Sequence, residues 1–274
     1  MEARIKLRLL GKEELTREIL MIMSKGWCRS VKKTINTRND GAVGNTLESL
    51  LGIEENNLPI PNAREWELKG QRKNSRSLIT LKHIEPSPKA AKIVSKMLLP
   101  YYGWPHRLAG KKYTTTELSF RSTTRADEFT NRGFKIEVDW GNQKVRFIFD
   151  PSKADHTDPE ILDWLRSVKA RVGLGPLYPE PYWGFEDLKY SIGEKIKNCF
   201  YVVADSKSDG GHEFFKYENL YILSGFSFDK FLNCLENGYI LIDFDARTGH
   251  NHGTKFRIRQ NHWIHLYQSV EQIK

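Results

Sequence analysis

The stretch that decides the fold follows a proline-containing turn and reads Asn62-Ala63-Arg64-Glu65-Trp66-Glu67-Leu68-Lys69. Apolar and charged residues alternate at its end, which is typical of a β-strand. Because successive side chains of a strand point to opposite faces, Glu67 and Lys69 share one face and the apolar residues beside them share the other. The stretch therefore predicts a strand with an acid and a lysine on one face.

An acid and a lysine placed in this way have a specific chemical use. Mg²⁺ takes oxygen ligands, usually one or two carboxylates together with waters and a substrate phosphate. Phosphodiester hydrolysis needs an activated water and positive charge near the developing dianion. Glu67 would hold the metal, the backbone carbonyl of Leu68 would add an oxygen, and Lys69 would orient or deprotonate the water. The alternative is a solvated strand face, because this spacing also occurs by chance.

Two upstream positions add to the predicted site. Asn62 occupies the place where this pattern normally has a metal-binding aspartate. Asn is nearly isosteric with Asp but carries no charge, so it should hold Mg²⁺ poorly. A short helix is predicted at 46–51 with Thr46 as its N-cap, and Glu48 on that helix could approach the same centre.

The composition favours a polyanionic partner. The chain has 274 residues and a formal net charge of +9, from 43 Lys and Arg against 34 Asp and Glu. Such a balance most often indicates nucleic acid, the alternative being a soluble protein that happens to be basic. Three widely spaced cysteines indicate reduced thiols in a cytosolic protein. No apolar run approaches the ~20 residues of a membrane span, and the N-terminus lacks a signal-peptide pattern, so we expect a cytoplasmic protein without a membrane partner.

The remaining elements follow from periodicity and turn residues. Helices are predicted at 12–25, 88–100, 158–171, 185–197 and 227–237, and strands at 77–83, 134–140, 144–149, 200–204, 239–247 and 255–259. Two hairpins are expected, one joining the Glu67 strand to 77–83 and one spanning 134–149. Residues 101–130 are predicted as a long functional loop. The Gly- and Pro-rich segment 173–183 is the best linker candidate.

The last predicted strand and the loop before it favour DNA contact. Three cations share one face of 255–259, suited to phosphates or base edges, namely Lys255, Arg257 and Arg259. The loop 248–254 carries His250, Asn251 and His252, which together with Arg247 can bond base edges. Two histidines without an adjacent Cys or carboxylate make a poor zinc site, and an ordinary polar turn is the other alternative. His83 either faces the substrate or is a half-buried, satisfied histidine.

These motifs together resemble the MvaI/BcnI family of type II restriction endonucleases, relatives of the mismatch-repair nicking enzyme MutH. The resemblance rests on Gly44-Asn45-Thr46-Leu47-Glu48-Ser49-Leu50-Leu51, on the run from Asn56 to Asn62 with Glu67-Leu68-Lys69, and on Arg247-Thr248-Gly249-His250-Asn251-His252-Gly253-Thr254-Lys255-Phe256-Arg257-Ile258. The segments 182–186 and 216–220 also fit. The resemblance covers roughly residues 40–260. Two separated motifs in the right order, one within 44–69 and one at 247–258, make coincidence improbable.

The resemblance implies an α/β fold with a PD-(D/E)xK nuclease core, a mixed sheet flanked by helices, and a second DNA-recognition lobe forming a cleft. Residues 1–172 would hold the N-terminal region and the catalytic lobe, and 173–274 the recognition lobe. Family members act as monomers on CC-N-GG-type sites in double-stranded DNA (CCWGG or CCSGG). They nick one strand at a time with Mg²⁺; we expect Mn²⁺ to substitute and Ca²⁺ to support binding without cleavage.

On matching positions, Glu67 and Lys69 would be catalytic and Glu48 an auxiliary acid, while Asn62, Glu67 and Leu68 would hold the metal. DNA contacts would come from His83, Arg247, His250, Asn251, His252, Lys255, Arg257 and Arg259. The setting would be a prokaryotic cytoplasm that also holds a cognate DNA methyltransferase, which is not a physical partner.

Asn62 is the departure from the pattern. We interpret the chain as an enzyme disabled at this ligand position, for which an engineered Asp→Asn change is one origin; a natural Asn with a rearranged metal site is the second interpretation. The alternatives are a MutH-like repair nicking enzyme and a catalytically dead DNA-binding protein.

Overall fold

The computed structural model describes residues 11–32, 39–53, 65–75 and 77–274. Its helices are α1 (Lys12–Ser24), α2 (Ala42–Leu50), α3 (Pro159–Val172), α4 (Phe185–Ile196) and α5 (Phe228–Glu236), with 3₁₀ turns at Lys89–Ala91 and Gln260–Leu266 and a π-helix at Val94–Tyr102. Its strands are β1 (Trp27–Arg29), β2 (Trp66–Arg72), β3 (Leu78–His83), β4 (Trp104–Pro105), β5 (Leu118–Thr124), β6 (Arg132–Asp139), β7 (Lys144–Ala154), β8 (Tyr182–Gly184), β9 (Asn198–Asp209), β10 (His212–Phe226), β11 (Ile240–Arg247), β12 (His250–Asn251), β13 (Lys255–Arg259) and β14 (Tyr267–Gln272). Within these ranges, every helix is too short or too polar to cross a bilayer.

The chain forms two compact units, each assembled from separated segments. The first contains Met1–Ser77, Ser191–Phe228 and Ile264–Lys274, and the second contains Leu78–Tyr190 and Asp229–Trp263. The boundary expected near residue 172 therefore falls inside the second unit. The Gly- and Pro-rich segment 173–183 does not link the units, because it leads into β8, which pairs with β7.

The first unit is built on a mixed sheet, as the family resemblance implied. Its order is β1-β10-β9-β2, with β14 also paired to β10. Strand β2 runs parallel to β9, and the other pairings are antiparallel. Helix α1 buries Leu15, Ile19 and Ile22, whose spacing places them on one helical face. They join a core that includes Leu47 and Phe200.

Helix α2 begins earlier than the predicted start at Thr46. It spans Ala42–Leu50, and Thr46 is fully buried inside it, where its Oγ1 donates to the carbonyl oxygen of Ala42 at 2.7 Å. The N-cap assignment was therefore wrong, because a threonine hydroxyl can bond the preceding turn as well as cap a helix.

Two glycines let α2 lie directly against β2. A Cβ atom added at Gly70 would stand 2.9 Å from the Cα of Gly44 and 3.1 Å from its nitrogen. Real Cβ atoms do not approach backbone this closely, so the contact requires glycine at position 70. This close approach brings α2 against the strand that carries Glu67 and Lys69, and the charge of Glu48 on α2 acts on Lys69.

We expect Gly70→Ala to destabilise the protein by about 1–3 kcal/mol, because helix α2 must move away from β2. The free energy of unfolding, measured by urea denaturation followed by circular dichroism, tests this. Gly11→Ala is the matched control, since a Cβ there meets nothing within 4 Å. Equal stability of the two variants would contradict the proposed close packing.

The predicted hairpin of β2 and β3 is wrong. Strand β2 pairs with β9 in the first unit, whereas β3 pairs with β13 in the second. Period-2 alternation identifies a strand but does not select its partner. The hairpin at 134–149 is confirmed, because β6 and β7 pair antiparallel.

The second unit contains two sheets around an aromatic core. One sheet has the order β3-β13-β11-β5-β4, with β12 on β11, and the other has the order β6-β7-β8. The rings of Phe134 and Phe147 stack with their centroids 5.2 Å apart. The expected loop at 101–130 is wrong in part, since it contains β4 and β5. Thr124 is fully buried and its hydroxyl donates to the carbonyl oxygen of Ile242. The hydroxyl-rich residues therefore form part of a β-strand here and not a loop.

The predicted helices at 12–25, 158–171, 185–197 and 227–237 are confirmed within two residues. The helix expected at 88–100 is replaced by a 3₁₀ turn and a π-helix that contains Pro100. Strand β9 is longer than predicted, and β10 and β14 were not predicted.

Candidate active site

The acid and the lysine of β2 meet as their spacing predicts. Glu67 is 3% exposed, and its Oε1 accepts a hydrogen bond from Lys69 Nζ at 2.7 Å. Trp66 and Leu68 pack into the core on the other side. The second carboxylate oxygen of Glu67, Oε2, is buried and has no hydrogen-bond partner among the described residues. A buried carboxylate oxygen without a donor is costly unless a cation or water reaches it.

The surroundings of Glu67 are buried. Cys199 lies beside Glu67 in the parallel register of β2 and β9 and is fully buried. Burial raises the pKa of Tyr267 well above its usual range, and Cys199 and Glu67 raise it further. Charge interactions at Glu67 are therefore stronger than they would be in solvent.

The pKa of Lys69 is raised above its ordinary value. Burial acts to lower it, but the charge and hydrogen bond of Glu67 outweigh burial, and Cys199 and Glu48 add to the increase. Lys69 is thus a charged ammonium at neutral pH, which suits orienting a water or phosphate rather than removing a proton. Glu48 of α2 therefore lies close enough to Lys69 for its charge to act on that pKa.

A second lysine, which sequence reasoning missed, stands at this centre. Lys195, in the last turn of α4, has its Nζ 3.8 Å from Oε1 of Glu67, and its side chain is 21% exposed. The predicted helix at 185–197 placed a lysine shortly before β9. Only the parallel pairing of β9 with β2, which the sequence did not indicate, brings that helix end to Glu67.

The donor set suits a hard divalent cation. Glu67 offers a buried carboxylate oxygen that is unpaired within the described residues, and Glu48 is a second acid. Leu68 has only its backbone oxygen to contribute because its side chain is in the core. Asn62 lies outside the described residues. Across the described ranges, no group of three His, Cys, Asp or Glu side chains is placed to hold a metal. Mg²⁺ sites with one or two carboxylates and several waters do not need such a group.

In the second unit, the predicted cationic face is largely paired with acids of β11. Arg257 Nη1 lies 2.8 Å from Asp243 Oδ2, and Lys255 Nζ lies 3.5 Å from Asp245 Oδ2. Arg259 is exposed. His83 stands opposite Lys255 in the register of β3 and β13. The face is therefore less positive than its sequence suggested, and Arg259 is its most accessible cation.

Arg247 is held by Glu117 and Tyr113, which sequence reasoning missed. Its Nη1 donates to Oε1 of Glu117 at 3.1 Å, and its guanidinium lies 4.8 Å from the centre of the Tyr113 ring. Glu117 is only 6% exposed. A guanidinium fixed by a buried acid and an aromatic face is oriented before any ligand arrives.

The predicted loop presents its three polar side chains to solvent. His250 and Asn251 form β12, which folds back on β11, and His250, Asn251 and His252 are exposed. The two imidazole rings are nearly parallel, with centroids 6.0 Å apart. Glu85, another residue that sequence reasoning missed, accepts from the backbone nitrogen of Thr254 at 2.9 Å and lies 3.4 Å from Asn251 Nδ2.

We expect Glu85→Ala to loosen this loop, because it leaves the buried backbone N–H of Thr254 without an acceptor at a cost of about 1–3 kcal/mol. Glu85→Gln keeps a carbonyl oxygen and is the matched control. Amide hydrogen exchange should speed up in residues 250–254 of the Ala variant only. Unchanged exchange in Glu85→Ala would show that another group holds the loop.

The fold is of the PD-(D/E)xK type: a mixed α/β core that carries an acid and a lysine, two residues apart, on one strand. The sequence model of the MvaI/BcnI restriction endonuclease family matches residues 16–267, and the chain therefore belongs to that family. This membership confirms the resemblance seen in the sequence motifs and makes the chain a restriction endonuclease by family.

Solved structures with a similar fold include two of the restriction endonuclease MvaI. The complex of MvaI with its cognate DNA substrate aligns with a TM-score of 0.73 and 24% identity, covering 97% of this chain and 100% of that chain. MvaI in the absence of DNA aligns with a TM-score of 0.52 and 23% identity, covering 94% and 95%. No curated protein sequence matches the chain.

Proposed function

We propose that the chain is a sequence-specific type II restriction endonuclease that binds double-stranded DNA and hydrolyses its phosphodiester bonds with Mg²⁺. The observation that carries the proposal is the state of Glu67: one oxygen is held by Lys69 and the other is buried and unpaired within the described residues. The family and the MvaI–DNA complex among similar structures support the DNA substrate.

The residues of the first unit divide the work at this site. Glu67, Glu48 and the backbone oxygen of Leu68 would hold the divalent cation, with position 62 as a further ligand position. Bound there, Mg²⁺ would supply Lewis-acid charge at the phosphate and lower the pKa of a water. Lys69, charged and fixed by Glu67, orients the attacking water or the phosphate. The buried surroundings strengthen each of these interactions.

The exposed loop of the second unit is the proposed base reader. Asn and His side chains can bond base edges in the major groove, and an arginine can bond guanine with two hydrogen bonds. His250, Asn251 and His252 are exposed, whereas Arg247 is pre-oriented by Glu117. Because Lys255 and Arg257 are paired with acids, their role is to set the shape and charge balance of the strand, while Arg259 and His83 remain candidates for direct contact.

Supercoiled plasmid carrying one CCWGG or CCSGG site tests the proposed function. In Mg²⁺ or Mn²⁺ we expect the Asn62→Asp version to cleave only at that site, and in Ca²⁺ we expect both versions to bind it without cleavage. A site with an odd central base pair is not two-fold symmetric, so a monomer must bind twice to cut both strands. Nicked circles should therefore precede linear DNA, and linear product formed in a single encounter would instead indicate a dimer.

A DNA-binding protein without catalysis is the second candidate, favoured by the uncharged Asn62. It predicts specific binding in Ca²⁺ and no cleavage with either Mg²⁺ or Mn²⁺, in the Asn62→Asp version as well as in the chain as given. A MutH-like repair nicking enzyme would stop at nicked circles on a methylation-marked site, so the same assay with mapped ends separates all three.

A further inference from the structure

Lys195 occupies a place at the candidate active site that the roles of Glu48, Glu67 and Lys69 do not explain. Its Nζ is 3.8 Å from the Glu67 oxygen that already accepts the 2.7 Å hydrogen bond of Lys69. At that distance Lys195 contributes charge but no hydrogen bond to Glu67. Lys195 makes no hydrogen bond within the described part of the chain, so its three N–H donors are unused there.

The two lysines are held differently. Lys69 is tied to Glu67 by a short charge-assisted hydrogen bond, and its pKa rises because of it. Lys195 comes from the end of a helix, where the backbone dipole favours a cation, and reaches the site on a flexible four-carbon stem. Lys69 is thus fixed to the carboxylate, whereas Lys195 can turn toward another anion without breaking a hydrogen bond.

We propose that Lys195 is a second catalytic lysine that binds a non-bridging oxygen of the scissile phosphate. This inference rests on the proposed function and assigns that site a residue. Attack on a phosphodiester increases negative charge on the phosphoryl oxygens, and a pre-placed ammonium stabilises that charge in the transition state. Lys69 would serve the water and Lys195 the phosphate, and no proton transfer from Lys195 is required.

The test compares Lys195→Ala and Lys195→Arg with Lys197→Ala, in the chain as given and in its Asn62→Asp version. Lys197 is an exposed lysine two residues away and controls for lost charge near the helix end. The first readout is binding to site-specific DNA in Ca²⁺ as a function of salt. Loss of one phosphate contact should reduce the slope of log K against log salt by about 0.9 in Lys195→Ala.

The second readout is single-turnover cleavage at saturating Mg²⁺ in whichever version cuts. We expect a rate about 100-fold lower in Lys195→Ala, as for loss of one transition-state donor, partial rescue in Lys195→Arg, and little change in Lys197→Ala. An unchanged salt slope together with an unchanged saturating rate would overturn the proposal and leave Lys195 as a charge-balancing residue. Absence of specific binding in every version would instead refute the proposed function. Binding without cleavage would refute catalysis, while the salt slope would still decide whether Lys195 contacts phosphate.

Discussion

Glu67→Gln in the cleaving form of the chain is expected to reduce single-turnover DNA cleavage by at least about 1000-fold, or roughly 4 kcal/mol of transition-state stabilisation. The amide keeps the shape of the side chain and an oxygen for Lys69, but it removes the charge that would hold the cation. Oε2 of Glu67 is buried without a partner among the described residues, and in the Gln variant this position no longer offers a charged oxygen to the cation. Rates are measured with enzyme in excess over DNA at saturating Mg²⁺.

The control for this variant is Glu65→Gln, which changes an exposed acid two residues earlier in the same stretch. We expect it to cleave like the parent. Circular dichroism and specific binding in Ca²⁺ should show that Glu67→Gln still folds and recognises DNA. Cleavage by Glu67→Gln within tenfold of the parent would remove Glu67 from the catalytic centre.

Local patterns predicted the elements whose partners are close in sequence. Helix α1 has its apolar residues on one face and ends where its periodicity stops, before Gly26. Strands β6 and β7 alternate cleanly around a short turn, so their pairing could be predicted together with their existence. In both cases the contacts that stabilise the element come from one helical face or from one adjacent turn. Both features can be recognised in the sequence.

Long-range pairing could not be predicted in the same way. Strand β10 pairs with three others, but a register shift between Tyr217 and Asn219 interrupts its alternation. A bulge places consecutive residues on one strand against a single partner and so hides the period of two. Strand β2 pairs with β9, more than a hundred residues later in the chain. The sequence of β2 contains no pattern that identifies β9 as its partner.

The candidate site shows the same division. Glu67 and Lys69 could be predicted because they lie two residues apart on one strand. Glu48 could be proposed because the motif that contains it comes shortly before them in the sequence. Lys195, Glu85 and Glu117 reach their partners only through tertiary structure. The pairing of Lys255 and Arg257 with the acids of β11 likewise depends on strand register, so a row of cations in sequence overstated the positive charge of that surface.

Asn62→Asp is expected to raise Mg²⁺-dependent cleavage by at least about 100-fold, equivalent to roughly 3 kcal/mol. Position 62 carries a neutral amide where the family pattern has a carboxylate, and a hard divalent cation binds charged oxygen more strongly than amide oxygen. Asp and Asn have nearly the same shape, so the change adds a ligand charge with little change in packing. Supercoiled plasmid is incubated with each version over a range of Mg²⁺ concentrations, and the ends are mapped.

Asn57→Asp adds the same charge five residues earlier in the same segment and should not restore cleavage, which separates a ligand effect from a general change in charge. The Mg²⁺ concentration required for cleavage gives a second comparison of the two versions. If position 62 is a ligand, the Asp version should cut at lower Mg²⁺ than the parent, and Ca²⁺ should strengthen its specific binding. Equal cutting by both versions would mean that the chain holds its metal without a carboxylate at position 62, through Glu67 and Glu48, and that Asn62 is a natural feature of a rearranged site.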